Sequence, residues 1–210
     1  MPKRLFIGSV LLLALACNAG AGEWVSLFNG EDLTGWRAAE HADTFRVEDG
    51  VIVAHGERSH LFYTGPVGGA DFTDFEWRCE VMLMPGSNSG MFFHTAYQEE
   101  GWPNQGYEAQ LNNTQGDRKK TGGLYDVADV MDNSPATANE WFTQTVVVRG
   151  DRVLVKVNGE VVTDYTAPAG AASAPDRRPG RTLSRGTIAL QGHDPGSIAK
   201  FRKIEIRLLD

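Results

Sequence analysis

Between Asp74 and Met84 the chain alternates without a break: Phe75, Trp77, Cys79, Val81 and Leu83 fall on one side, Glu76, Arg78 and Glu80 on the other. Strand side chains point to opposite faces in turn, so this period of two fits a strand buried on one face and wet on the other. Trp141–Arg149, Val153–Val157 and Lys200–Leu208 read as further strands. Asp49-Gly50, Gly150-Asp151 and Asn158-Gly159 separate such runs and read as two-residue hairpin turns. Beyond residue 21 no segment longer than about ten residues keeps a helical period. Many short strands with no strand–helix alternation predict an all-β fold: a jelly-roll β-sandwich of two antiparallel sheets.

The first 21 residues stand apart. Lys3 and Arg4 precede the apolar run Leu5–Ala16 and then small residues, the parts of a secretory leader. The run is about 12 residues, short of the roughly 20 that span a bilayer. Ala19-Gly20-Ala21 fits a cleavage site that would leave a mature start at Gly22. Leu13–Cys17 resembles a lipobox, which would leave a lipid anchor at Cys17; Ala14 suits that box poorly. Either product is exported, to the periplasm or cell surface. The expected organisation is a leader at 1–21 and a single domain at 22–210, a length suited to one core. Lys3 and Arg4 are two of 20 basic residues against 27 acidic ones, so the remainder carries about −9. Its one basic grouping is Arg177, Arg178 and Arg181 in a Pro/Gly loop, which argues against a nucleic-acid partner. Cys79, alternating with hydrophobes, reads as a buried apolar residue.

The least ordinary stretch is Pro85–Asn113. Gly106–Asn112 sets Tyr107, Ala109 and Leu111 against Glu108, Gln110 and Asn112. A carboxylate and two amides in a row suit the floor of a polar cleft, where planar donors and acceptors meet sugar hydroxyls. The competing reading is an ordinary wet sheet face. Trp102, or Phe92, would supply a ring for stacking on a sugar. Leu124–Val127 reads as a further strand. His55 and His60 read as structural.

SLFNGEDLTGW, PGSNSGMFFHT, GYEAQLNN, KTGGLYDV, EWFTQTVVVRGDRVLVKVNGEVV and GTIALQGHDPGSIAKFRKIEIRLL together resemble the 3-keto-disaccharide hydrolase domain family, in the family's order and over nearly all of the chain past the leader. The resemblance implies a concanavalin A-like jelly roll, export, and action on oxidised sugars. It places cleft positions at Asn88, His94, Glu108, Gln110, Asn112, Lys120, Tyr125, Gln191, His193 and Asp194. His94 stands where the wider family often has Arg. No motif demands a metal: His94, Glu108, His193 and Asp194 are capable ligands for a divalent ion, but at no tight metal spacing.

Ordinary glycoside hydrolysis uses two carboxylates across the scissile bond. The E-x-D-x-x-E pattern of sandwich-fold glucanases is absent. A 3-keto sugar needs something else: a base for the acidified C2 proton, a stabiliser for the enolate, and an acid for the glycosidic oxygen. Glu108 and His193 are the expected proton-transfer pair, with His94 a further candidate. Lys120, Tyr125 or the amides of Gln110 and Asn112 would polarise the ketone. Asn88, Gln191 and Asp194 would bind the sugar. The alternatives are a carbohydrate-binding domain without turnover and, more weakly, a conventional glucan hydrolase. In QGHDPG, His193 has the competing reading of a cap on the following turn.

Overall fold

The computed structural model describes residues 22–168 and 182–209. The expected leader with Cys17, and Arg177, Arg178 and Arg181, lie outside the described residues.

Fifteen strands form two antiparallel sheets. In chain order they are β1 (Val25–Ser26), β2 (Trp36–Ala38), β3 (Phe45–Glu48), β4 (Val51–Ala54), β5 (Ser59–Tyr63), β6 (Phe75–Leu83), β7 (Asn88–Thr95) and β8 (Tyr107–Asn112). There follow β9 (Lys119–Leu124), β10 (Ala128–Met131), β11 (Phe142–Arg149), β12 (Arg152–Val157), β13 (Glu160–Thr166), β14 (Thr187–Gly192) and β15 (Ala199–Leu208). One sheet runs β13-β12-β11-β6-β15-β4-β3, with β1 on β15; the other runs β10-β9-β8-β7-β14-β5-β2. This is the antiparallel jelly-roll sandwich that the alternation predicts.

The first sheet is built on β6, whose inward row of Phe75, Trp77, Cys79, Val81 and Leu83 is fully buried. Their polar neighbours face outward in cross-strand pairs with β15, where Glu76 opposes Arg207, Arg78 opposes Glu205 and Glu80 opposes Arg202. The three guanidinium Nε atoms donate to the opposed carboxylates at 2.7–2.9 Å. Directly opposed residues are the natural unit of sheet pairing. Cys79 lies in the core with its thiol pushed up by burial, as its apolar neighbours predict. Trp36 donates its indole N–H to Leu27 O at 2.7 Å and pins the loop before β2.

The second sheet differs in one respect that positions the site. Strands β5, β7, β8 and β14 are buried on both faces. One face meets the first sheet through Leu61, Met91, Phe93, Ala109, Leu111, Ile188 and Leu190. The other carries the polar row of β8 beside Phe62, Phe92 and Ala189, on which Ala39 and Tyr97 pack.

Asp49-Gly50 and Asn158-Gly159 turn the expected hairpins, each with positive φ at both residues, the type I′ geometry that suits strand twist. The expected strand at Leu124–Val127 is corrected: β9 ends at Leu124, and 125–127 form a turn. Lys119, Lys120, Gly122 and Gly123 have weak strand propensity, which hid β9. Gly122, at φ +88, lies where a side chain would press on Val162 and Val157.

Candidate functional site

Register sets the site out in rows on the outer face of the second sheet. Phe62, Ala189, Phe92 and Glu108 are partnered in turn across β5, β14, β7 and β8. His60 pairs with Gln191, and Gly90 with Gln110, one step along. Asn88 pairs with Asn112 a step further. An apolar strip of Phe62, Ala189 and Phe92, packed under Ala39 and Tyr97, thus borders a polar trough.

That trough opens as a shallow cleft of about 90 Å³ lined by Asn88, Trp102, Glu108, Gln110, Asp117, Tyr125, Gln191 and His193. That enclosed volume is well below the roughly 300–1,000 Å³ of small-molecule pockets, so a sugar would sit partly in solvent above it. Glu108 is buried, and its Oε1 accepts from Gln191 Nε2 at 3.2 Å. The carboxylate fits because β7 has a glycine beside it: a Cβ at Gly90 would fall well inside contact with Glu108 Oε1. Gln110 accepts Leu111 N–H through Oε1 at 3.2 Å, leaving its NH₂ for the cleft. Asn88 Oδ1 and Gln191 Oε1 are buried with no hydrogen-bond partner. Buried polar atoms are nearly always paired, so two orphan acceptors in one cleft mark places for a donor, from ordered water or from a ligand that displaces it.

At the mouth, His193 Nδ1 meets Asp194 Oδ2 at 2.5 Å. Asp194 also accepts from Ser197 Oγ at 3.0 Å and Gly196 N–H at 2.7 Å, so it closes the turn and orients the imidazole together. Burial raises the Asp194 pKa, but the bonds from His193, Ser197 and Gly196 outweigh it and hold the carboxyl below its usual value. With Nδ1 engaged, Nε2 is the nitrogen left for chemistry in the cleft. Trp102 stands beside His193 at 5.3 Å between ring centroids and is 40% exposed.

Four expected site residues, His94, Lys120, Asn112 and Asp194, are not part of the cleft lining. His94 does not line the cleft. Between β7 and β14 the register slips by one residue, Thr95 opposing Thr187 and Phe93 opposing Ile188, so His94 is the extra residue of a β-bulge at φ +52. A bulge re-aims side chains. The imidazole turns against Phe75 and Phe93, with Nε2 2.8 Å from Thr73 O and Nδ1 accepting Ser184 N–H at 3.2 Å. Lys120 is likewise turned away: Nζ donates to Gln115 O at 2.8 Å and Asp117 O at 2.7 Å, holding the loop before β9. Asn112 staples the same loop, donating to Asp117 O and Lys119 O and accepting Gln115 N–H. Asp194 acts through His193.

Asp117 is a cleft carboxylate that strand alternation does not reveal, because it sits on the loop those two residues fix. Tyr125 Oη lies 3.4 Å from its Oδ2. Among the described residues, no three His, Cys, Asp or Glu side chains converge as a metal site. No described helix is long and apolar enough to cross a membrane.

His60 is fully buried beside the cleft, under Trp102 at 5.6 Å and against Phe92 at 5.2 Å. Burial pushes its pKa down to about 3 despite the attraction of Glu40, with Arg58 and His193 adding to the fall. The fold therefore refuses a proton that the unfolded chain accepts near 6.5. Between those values the unfolded state binds more protons, so this stability is complete above about pH 6.5 and is lost as pH falls toward 3, at roughly 1.4 kcal/mol per unit. His60→Phe is expected to flatten the fall in urea midpoint between pH 7 and 5; equal falls in both proteins would refute the assignment.

The comparisons agree with this architecture. A presumed glycosyl hydrolase from Parabacteroides distasonis ATCC 8503 superposes with a TM-score of 0.73 at 23% identity, over 89% of this chain and 94% of that one. The carbohydrate-binding module CBM66 from Bacillus subtilis gives 0.54 at 13% identity, over 82% and 95%. The VIP36 exoplasmic/lumenal domain in its Ca²⁺/Man₃GlcNAc-bound form gives 0.58 at 10%, over 85% and 87%. At these identities the likeness is one of fold. No curated protein matches the sequence. Residues 23–207 match the profile of the 3-keto-alpha-glucoside-1,2-lyase-like domain, and the chain belongs to that 3-keto-disaccharide hydrolase family.

Proposed function

We propose that this protein is an enzyme that cleaves 3-keto glycosides by elimination across C1 and C2, followed by hydration. The observation that carries this reading is one cleft holding a buried carboxylate, Glu108, an Asp-oriented imidazole, His193, and unpaired amide oxygens. Family membership and the sugar-related neighbours support a carbohydrate ligand.

In this reading Glu108 takes the C2 proton. The C2–H electron pair forms the C2=C3 enolate, whose oxygen accepts from a cleft amide such as the NH₂ of Gln110. The enolate then collapses: C1=C2 forms, the C1–O bond breaks, and the leaving oxygen takes a proton from His193 Nε2. Asp194 stabilises the charged imidazole before that transfer. Water adds its oxygen at C1 and a proton at C2, returning a free 3-keto sugar. A general acid or base in such a step contributes typically 10²–10⁴-fold.

The second reading, binding without turnover, is favoured by the CBM66 fold likeness and by Trp102 at the mouth. One experiment separates them. The protein is incubated with a 3-keto α-glucoside and, in parallel, the unoxidised glucoside, and released aglycone is measured. The elimination reading expects release from the keto substrate alone. Release from both would indicate conventional hydrolysis, and release from neither would leave a binding domain.

A further inference from the structure

Beyond Trp102 the outer face of the sheet does not end. His60 shares that face with its register partner Gln191, a cleft residue, yet lies wholly buried beneath the indole. Neither ring nitrogen of His60 has a hydrogen-bond partner. A neutral imidazole carries one donor and one acceptor, and leaving such groups buried and unpaired forfeits their hydration without return. Phe92 and Trp102 meet its ring near edge-on, at 89° and 74°. Contacts to aromatic faces are weak beside a true hydrogen bond. A donor–acceptor pair beside an apolar ring is the mixture of polar groups and apolar walls that ligand sites use.

The cover is a self-contained unit. Gln98 Nε2 donates to Glu100 O at 2.7 Å and Trp102 O at 2.9 Å, and Gln98 Oε1 accepts Asn104 N–H at 3.1 Å. The unit is moored through Glu40, which accepts Gly101 N–H at 3.1 Å and the Arg58 guanidinium at 2.8 and 3.2 Å. Arg58 in turn lies 5.2 Å from the centre of the indole. Two more ties reach the loop through Glu99, whose carbonyl accepts Glu40 N–H at 2.9 Å and whose carboxylate pairs with Arg37 of β2 at 3.0 Å; none of these bonds is strand pairing, so the wall can move without breaking the sheet ladder.

We propose that Trp102 is the specificity-determining wall of the cleft and that a second saccharide subsite, floored by His60 and Phe92, lies behind it and opens when the indole is displaced. In the closed state the trough ends at the indole; with the wall aside, it continues over His60 and takes a longer glucoside. The inference rests on the sugar-binding part of the function proposed above and not on the elimination chemistry.

The test uses labelled protein and unoxidised probes, methyl α-glucoside and maltotriose, with affinities and His60 ring resonances read by NMR. In the wild type, methyl α-glucoside is expected to shift cleft signals and leave the His60 ring unmoved. In Trp102→Ala, the preference for maltotriose over methyl α-glucoside is expected to rise at least tenfold, with the His60 ring nitrogens shifting. Adding His60→Phe should abolish that gain. Gln98→Ala, which removes the loop's staple, should raise the same preference in the same direction, and it serves as the test if Trp102→Ala fails to fold. An unchanged preference in a folded variant, or a gain that survives His60→Phe, would overturn the subsite. If the subsite responds while 3-keto glucosides are not cleaved, the elimination reading alone fails. Cleavage with an unchanged preference removes the subsite alone, and no binding to any form removes both.

Discussion

Glu108→Gln is expected to lower turnover of a 3-keto glycoside by about 10²–10⁴-fold, the usual worth of a positioned general base. The amide keeps the shape of the carboxylate and leaves an oxygen to accept from Gln191 Nε2, the bond present at 3.2 Å. The cleft should therefore stay formed, so the loss should fall on kcat while affinity for an unreactive sugar changes much less. Steady-state kinetics beside a thermal melt check this. A variant that turns over at the wild-type rate would remove Glu108 from the proton transfer, and equal losses in affinity and kcat would mark it as a binding residue.

The second large effect is expected at a residue with no side chain. Gly90 is opposite Gln110 on β8, and the carboxylate of Glu108 leans over it. Gly90→Ala leaves the backbone at ease, because its φ is not among the positive values in the chain. The added methyl falls on the Glu108 carboxylate, the movable partner, and pushes it off the trough. A displacement of about 1 Å at a reacting group costs on the order of 10²-fold. Replacing Gly by Ala at a compatible backbone position changes stability by only about 0.4–1 kcal/mol, and in the favourable direction. The expected result is thus a protein at least nearly as stable and roughly a hundredfold slower. Urea unfolding and kcat measured together decide it; full activity would show that the carboxylate does not need the space above Gly90.

The fold was legible because β6, β11, β12 and β15 each bury one face and wet the other, which writes a period of two into the sequence. The polar row at Glu108 and Gln110 was legible for the same reason, since β8 alternates between the core and the polar trough. Legibility ends where that alternation ends. His94 keeps the strand's parity in the sequence, but a one-residue bulge turns it toward Phe75. Lys120 and Asn112 carry polar groups suited to a sugar, yet the carbonyls of the 115–119 loop claim them first. Asp117 gains its place from that loop, through contacts that no local pattern encodes. His60 lies in a strand buried on both faces, where alternation cannot separate core from cleft. Register supplies the missing information, by setting His60 beside Gln191.

The central claim is that groups of this cleft break the C2–H bond of a 3-keto sugar before the glycosidic bond goes. It is tested most directly with a 3-keto α-glucoside carrying deuterium at C2, following label and aglycone in light water against an enzyme-free control. Elimination predicts that each released aglycone accompanies loss of the C2 deuterium, and that Glu108→Gln slows both together. Aglycone release with the C2 deuterium retained would contradict the account and place the chemistry at C1 alone.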